Sequence, residues 1–212
     1  MEPKGTFVSP NIIFALSFSK MLYDVVIVGG GIVGLATGYK LITARPDLKI
    51  ALLEKESQLG SHQTGNNSGV IHSGLNYKPG SLKAINCIKG YHELLNFCKE
   101  EKIPFEITGK VVVATRESQK PVLNMLLESS LENGLSGTRK ITLAELKEYE
   151  PHCTGVGALY VPQTGIVDYL QVALAFGRKF MQQEGGIFLK HKVLEIKQKD
   201  SINYIETSKE TF

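Results

Sequence analysis

Two rhythms of apolar and polar positions open the sequence. From Asp24 to Val28 the chain is a largely apolar, β-branched run, the pattern of a strand buried on both faces. After Gly29, Gly31 and Gly34 the spacing becomes helical as far as Arg45, and Pro46-Asp47 supplies a stop and a turn. A second apolar run, "KIALLEK", predicts another buried strand ending at Glu54. Strand, glycine turn, helix and strand make a βαβ unit, whose crossover is right-handed.

Beyond a polar stretch, residues 61–80, the helical rhythm returns. Ser81 can cap a helix running to Glu101, with Ala84, Ile85, Ile88, Tyr91, Leu95 and Cys98 on its apolar positions. "PFEITGKVVVAT" reads as strand, Gly109, strand, and "VLNMLLESSLENG" as an amphipathic helix closed by Gly134. Thr142 and Glu145 form a capping box for a short helix that stops at Pro151. "ALYVP" is a strand, Asp168 caps a helix from Tyr169 to Glu184, and "GIFLKH", "KVLEIKQ" and "INYIET" follow as strands. There is no internal repeat.

Composition narrows the function classes. The chain has 212 residues, of which 42% are apolar and 21% charged, so it can build a packed core. A net charge of +3, with no basic cluster interleaved with aromatics, argues against nucleic acid as a partner. Cys87, Cys98 and Cys153 form no CxxC pair and their number is odd, which predicts reduced core thiols in a cytoplasmic setting. The histidines lack metal-ligand spacing, so no metal site is expected. No apolar stretch is long enough to span a membrane. Residues 1–20, with the short apolar "IIFALSF", read as an extension without a folding role, a poor secretory signal being the alternative.

The glycine turn carries the chemistry. Gly29, Gly31 and Gly34 spell GxGxxG after a strand and at the opening of a helix, trailed by an acidic residue at the end of the next strand. That arrangement brings backbone against a dinucleotide pyrophosphate at the positive end of a helix, here at Ile32 and Val33, and Glu54 is placed to accept ribose hydroxyls. The bland alternative is a glycine-rich turn with no ligand. NAD and FAD both use the fingerprint, and residues 61–80 decide between them. A simple NAD domain would proceed to another βα unit; this chain gives a pliable Gly/Asn/Ser loop. An extended flavin needs a second stretch of backbone beside it, and Thr64, Asn67, Ser68 and the amide of Gly69 can donate or accept there. Lys55 and Val193 complete the expected cofactor contacts.

The segments "VVIVGGGIVGLATGYKL", "LLEKE", "HQTGNNSGVIHSG", "YKPGSLKA" and "TGIVDY" resemble the L-2-hydroxyglutarate oxidase/dehydrogenase family, whose fold is that of D-amino-acid oxidase. The resemblance covers residues 22–207. It implies FAD as cofactor, a 2-hydroxy acid as substrate, a 2-oxo acid as product, and transfer of electrons to oxygen or a membrane quinone. The protein would then be cytoplasmic or peripheral to the inner membrane. The family pattern has His or Arg where this chain has Asn66, and Tyr where it has Asn76. Family chains are also longer, so the resemblance implies an N-terminal half lacking part of the substrate pocket and inactive alone. The four arginines (Arg45, Arg116, Arg139, Arg178) lie outside any glycine-rich motif, although a dicarboxylate would want such a partner.

His72 is the candidate catalytic base, with a hydrogen-bonded neighbour of the flavin as its alternative role. His62 is expected to order the turn, and Tyr77 and Lys78 border the pocket or the surface. The expected fold class is α/β, a Rossmann-like FAD-binding domain from residues 21–84 and 165–212 with an inserted α+β substrate-domain segment, residues 85–164. Two other readings stand beside hydroxy-acid oxidation: the same fold acting on an amino acid or glycerol phosphate, and a non-catalytic fragment.

Overall fold

A computed structural model describes residues 22–212, and the expectations for residues 1–20 lie outside the described residues. In chain order the elements are β1 (Val25–Val28), α1 (Ile32–Ala44), β2 (Ile50–Leu53), β3 (Val70–Ile71), α2 (Leu82–Glu100), β4 (Phe105–Glu106) and β5 (Lys110–Ala114). They continue as α3 (Lys120–Glu132), β6 (Arg139–Ile141), α4 (Leu143–Tyr149), β7 (Gly157–Val161), β8 (Gly165–Val167), α5 (Tyr169–Gln182), β9 (Gly186–Phe188), β10 (Val193–Lys199) and β11 (Ile202–Thr207).

The apolar runs around the glycine turn pair in parallel, Val25 with Ile50 through Val28 with Leu53. β9 joins the other side of β2, also in parallel, giving the order β1-β2-β9. All four residues of β2 are buried, as a central parallel strand requires. Helices α1 and α5 cover this sheet, and Leu35, Ile42, Ile50, Leu52, Ala173 and Phe180 form the core between the layers. α1 can lie so close to β1 because of Gly34: a Cβ there would come within 2.1 Å of the Gly29 carbonyl oxygen.

The remaining strands are antiparallel. β3-β8-β4 is a small sheet over Ile71, Phe97, Cys98, Ile103, Val167, Val172 and Ala175. Phe97 and Phe176 stack in this core with centroids 4.3 Å apart. β5-β7-β6 forms a second sheet, with α3 packing Leu123 against Ala114 and Leu159. β10 and β11 make a hairpin through Asp200 and Ser201, both left-handed, which suits the twist of a two-residue loop.

Helix ends agree with their sequence signals. Ser81 accepts the N–H of Ala84, Thr142 and Glu145 close a reciprocal box, and Asp168 accepts the N–H groups of Leu170 and Gln171. The two strands of "PFEITGKVVVAT" form on either side of Gly109, as read, and join different sheets. Other expectations need correction. β3, β6 and β8 have no counterpart in the sequence reading, and "GIFLKH" is a strand only as far as Phe188. Ile85, assigned to the apolar face of α2, is exposed. Cys98 is a core thiol, but Cys87 is only half-buried. Among the described residues no helix is long and apolar enough to cross a membrane.

Candidate flavin site

The carboxyl ends of β1 and β2 open into a cleft, where an open α/β sheet binds its ligand. One cavity of about 440 Å³ is lined by Val28, Gly29, Gly31, Glu54, Lys55, Thr64, His191, Lys192 and Val193, among others. A second, of about 420 Å³, is lined by Gly31, Ile32, Val33, Gln63, Thr64, Asn67, Ser68, Val70, His72 and Tyr169. Gly31, Gln63 and Thr64 belong to both, so the two cavities meet at the start of α1.

Sequence reasoning named twelve cofactor contacts and one catalytic candidate. Ten of those twelve, and His72, line one cavity or the other. Gly34 does not; its place is the contact of α1 with β1. Gly69 does not either. Its N–H donates to Asn67 Oδ1 at 2.7 Å and its carbonyl accepts from Val167 N–H, so its amide is committed to the loop rather than offered to a ligand. Asn67 likewise uses its Nδ2 on the carbonyl of Thr64 at 2.7 Å. Tyr77 and Lys78 are exposed and line neither cavity.

Glu54 is buried, and its carboxylate has backbone partners of its own. Oε2 accepts the N–H of Gly30 at 2.6 Å, and Oε1 that of Glu56 at 2.8 Å. Gly30, an unassigned position of the GxGxxG motif, is thus a working part of the turn. A Cβ there would meet Leu59 Cδ2 at 2.6 Å and Glu54 at 3.0 Å. The run of three consecutive glycines was the available signal. At the start of α1, the N–H of Ile32 donates to Thr64 Oγ1 at 3.0 Å. The N–H groups of Val33 and Gly34 have no acceptor among the described residues. They carry the positive end of the helix into the place where the cavities meet.

The charged rim belongs to the first cavity. His62 Nε2 and Lys55 Nζ both approach Glu56 Oε1, at 3.0 and 3.5 Å, which joins His62 to the segment just after β2. His191, unnoticed in the sequence, is buried, with Nδ1 2.8 Å from the Leu189 carbonyl and Nε2 3.1 Å from Glu210 Oε1. Its N–H also donates to the Glu54 carbonyl at 2.8 Å, which sets it in the cavity wall beside the end of β2. The second cavity has apolar sides in Ile32, Val33 and Val70. Tyr169 closes one end, its hydroxyl donating to the Val70 carbonyl at 3.1 Å. Burial pushes the Tyr169 phenol above its ordinary pKa, with Cys98 and Cys87 adding to the effect, so it remains a donor.

A carboxylate near one end, helix N–H groups at the waist and apolar walls at the other end fit an extended dinucleotide carrying a flat ring system. The comparisons agree with this chemistry. Residues 24–211 match the family described as FAD dependent oxidoreductase. The chain is 62% identical over 192 residues to L-2-hydroxyglutarate dehydrogenase of Indibacter alkaliphilus, covering 91% of this chain and 48% of that protein. It is 47% identical over 177 residues to the mitochondrial L-2-hydroxyglutarate dehydrogenase of Homo sapiens, covering 84% of this chain and 38% of that one. Among solved structures, L-alpha-glycerophosphate oxidase from Mycoplasma pneumoniae with FAD bound superposes with a TM-score of 0.79 at 28% identity, over 89% of this chain and 50% of that one. The chain spans about half the length, or less, of the curated relatives it matches. With a match that runs nearly from end to end of the described residues and a cleft of the right chemistry, the chain belongs to the FAD dependent oxidoreductase family.

Proposed function

We propose that this chain takes part in the FAD-dependent oxidation of L-2-hydroxyglutarate, or a close 2-hydroxy acid, to the 2-oxo acid. The observation that carries the reading is the pair of joined cavities. One holds Glu54 and the other His72, and both lie on a chain 62% identical to a dehydrogenase of that name. When bound, FAD supplies the acceptor for the hydride leaving C2 of the substrate.

The chain's own residues hold and orient. Glu54 accepts the hydroxyls of the adenosine ribose while it keeps its bonds to Gly30 and Glu56. Free N–H groups at the start of α1 take the pyrophosphate. Ile32, Val33 and Val70 exclude water from one side of the ring site. His72, which lines the same cavity, takes the proton of the substrate's C2 hydroxyl onto its imidazole as the hydride departs. The electrons then go to oxygen or a membrane quinone, with the protein in the cytoplasm or against the inner membrane.

The test is anaerobic flavin bleaching. The purified protein, loaded with FAD, is mixed in turn with L-2-hydroxyglutarate, D-2-hydroxyglutarate, glycerol 3-phosphate and glycine. Rapid bleaching by the L-hydroxy acid alone would support this reading and overturn the expectation that the chain is inactive by itself. Bleaching by glycerol 3-phosphate or glycine instead would assign the site to another substrate of the same fold. FAD that stays bound and unreduced by all four would make the chain a flavin-holding piece without turnover.

A further inference from the structure

We propose that Tyr169 and Cys87 together clamp the open edge of β3 and so position the His72 imidazole in the cleft; this rests on the reading of His72 given above. β3 is the outer strand of the order β3-β8-β4. The N–H of Val167 donates to the carbonyl of Gly69, which makes those two residues a hydrogen-bonded pair. Val70 and Ile166, the next pair along, are then a non-bonded pair, and the carbonyl of Val70 faces away from β8. With no strand beyond it, that carbonyl takes the Tyr169 hydroxyl instead, 99 residues away in sequence.

By the same alternation the His72 carbonyl faces the open edge. The Cys87 thiol, reaching across from α2, lies 3.5 Å from that oxygen. Thiols are weak donors, but burial raises the pKa of Cys87 and keeps its proton in place. Two side chains from two helices thus hold the backbone on either side of His72, whose ring is exposed to the cavity. A two-residue strand has little pairing of its own to fix the direction of the side chain that follows it.

The experiment follows the imidazole signals of 13C-labelled histidine by NMR in the full chain, with His72 assigned by its loss in His72→Asn. Tyr169→Phe keeps the ring and removes the hydroxyl; Cys87→Ala removes the thiol; Cys87→Ser restores a donor. Tyr169→Phe and Cys87→Ala are each expected to shift or broaden the His72 signal and leave that of buried His191 in place, while Cys87→Ser stays near the wild type. A His72 signal unmoved in Tyr169→Phe overturns the clamp, and that result stands even if Cys87→Ala does not fold. In the FAD-loaded protein the limiting rate of flavin reduction should fall roughly fivefold in Tyr169→Phe with KM unchanged, as expected for loss of one orienting hydrogen bond. A fall in stability alone, with His72 and the limiting rate unaltered, would reduce the clamp to a structural contact. Adding FAD to the wild type separates the two proposals: a His72 signal that ignores FAD removes His72 from the flavin site and leaves the clamp standing.

Discussion

Glu54 Oε2 lies 2.6 Å from the amide nitrogen of Gly30, joining the end of β2 to the middle of the glycine turn. The carboxylate proposed to hold the ribose is therefore also the fastener of the glycine turn proposed to hold the pyrophosphate.

Replacing Glu54 should accordingly affect two parts of the nucleotide at once. Glu54→Ala removes the proposed acceptor for the ribose and leaves the buried Gly30 N–H unpaired. A hydrogen bond to a charged group contributes roughly 1.5–3 kcal/mol, so affinity for FAD should drop about ten- to a hundredfold. Glu54→Gln keeps one oxygen for Gly30 and should fall between the two. Fluorescence titration of the apoprotein measures all three, and equal affinities would remove Glu54 from the site.

Thr64→Val tests the waist of the cleft. The substitution keeps the shape of the side chain and deletes the oxygen that accepts the Ile32 N–H at 3.0 Å. Loss of one such partner at a buried position costs about 1–3 kcal/mol. Both the thermal midpoint and FAD affinity should fall, and Thr64→Ser should recover most of each. A variant with wild-type melting and binding would show that the helix start does not depend on Thr64.

Two glycines in helices should respond in opposite directions to alanine. At Gly34 the added methyl would lie 2.1 Å from a backbone oxygen, so α1 must move off β1. Such overpacking costs roughly 1–3 kcal/mol or more, and flavin binding should go with it. At Gly90, on α2, a Cβ meets nothing within 4 Å. There alanine should stabilise by roughly 0.5–1 kcal/mol. Urea denaturation of the pair provides the comparison, and a tolerated Gly34→Ala would contradict the close approach.

Lys110 gives a pH-dependent prediction. It is half-buried at the start of β5, and desolvation lowers its pKa. A lysine whose folded pKa is depressed binds its proton less tightly in the folded state than in the unfolded one. The cost falls on the folded state at neutral pH and is relieved as pH rises toward the ordinary lysine value of about 10.4. Lys110→Met keeps the stem without the charge. It should raise the thermal midpoint at pH 7, with the gain shrinking as pH rises toward about 10.4 and absent above it. A gain that is the same at both pH values would assign the effect to packing instead.

The parts of this molecule legible in the sequence are those governed by near neighbours. The βαβ unit was readable because its apolar runs, its glycines and Glu54 lie within one short segment, and the caps at Ser81, Thr142 and Asp168 act on N–H groups two or three residues away. β3 and β8 were not. Val70 and Ile71 are a strand only because Ile166 and Gly165 lie beside them, and two apolar residues in a polar loop carry no period of their own. The same distance hid Tyr169 and His191 from the site. The Gly69 amide was misjudged for a different reason: Asn67 competes locally for backbone donors, as short polar side chains do in turns.

The order β1-β2-β9 has a kinetic consequence. Leu52 meets Ile27 across one crossover, but meets Ile187 only after most of the chain has been laid down. Closing so long a loop is entropically slow, so β1, α1 and β2 can assemble well before β9 arrives. Yet β9 leads directly to His191, Lys192 and Val193, which form the far wall of the first cavity, and the N–H of His191 is hydrogen-bonded to the Glu54 carbonyl at 2.8 Å. On that ordering the glycine turn would exist early as an open shelf and become a container only once β9 has docked. The rate at which a nucleotide is taken up during refolding would then be a clock for the docking of β9.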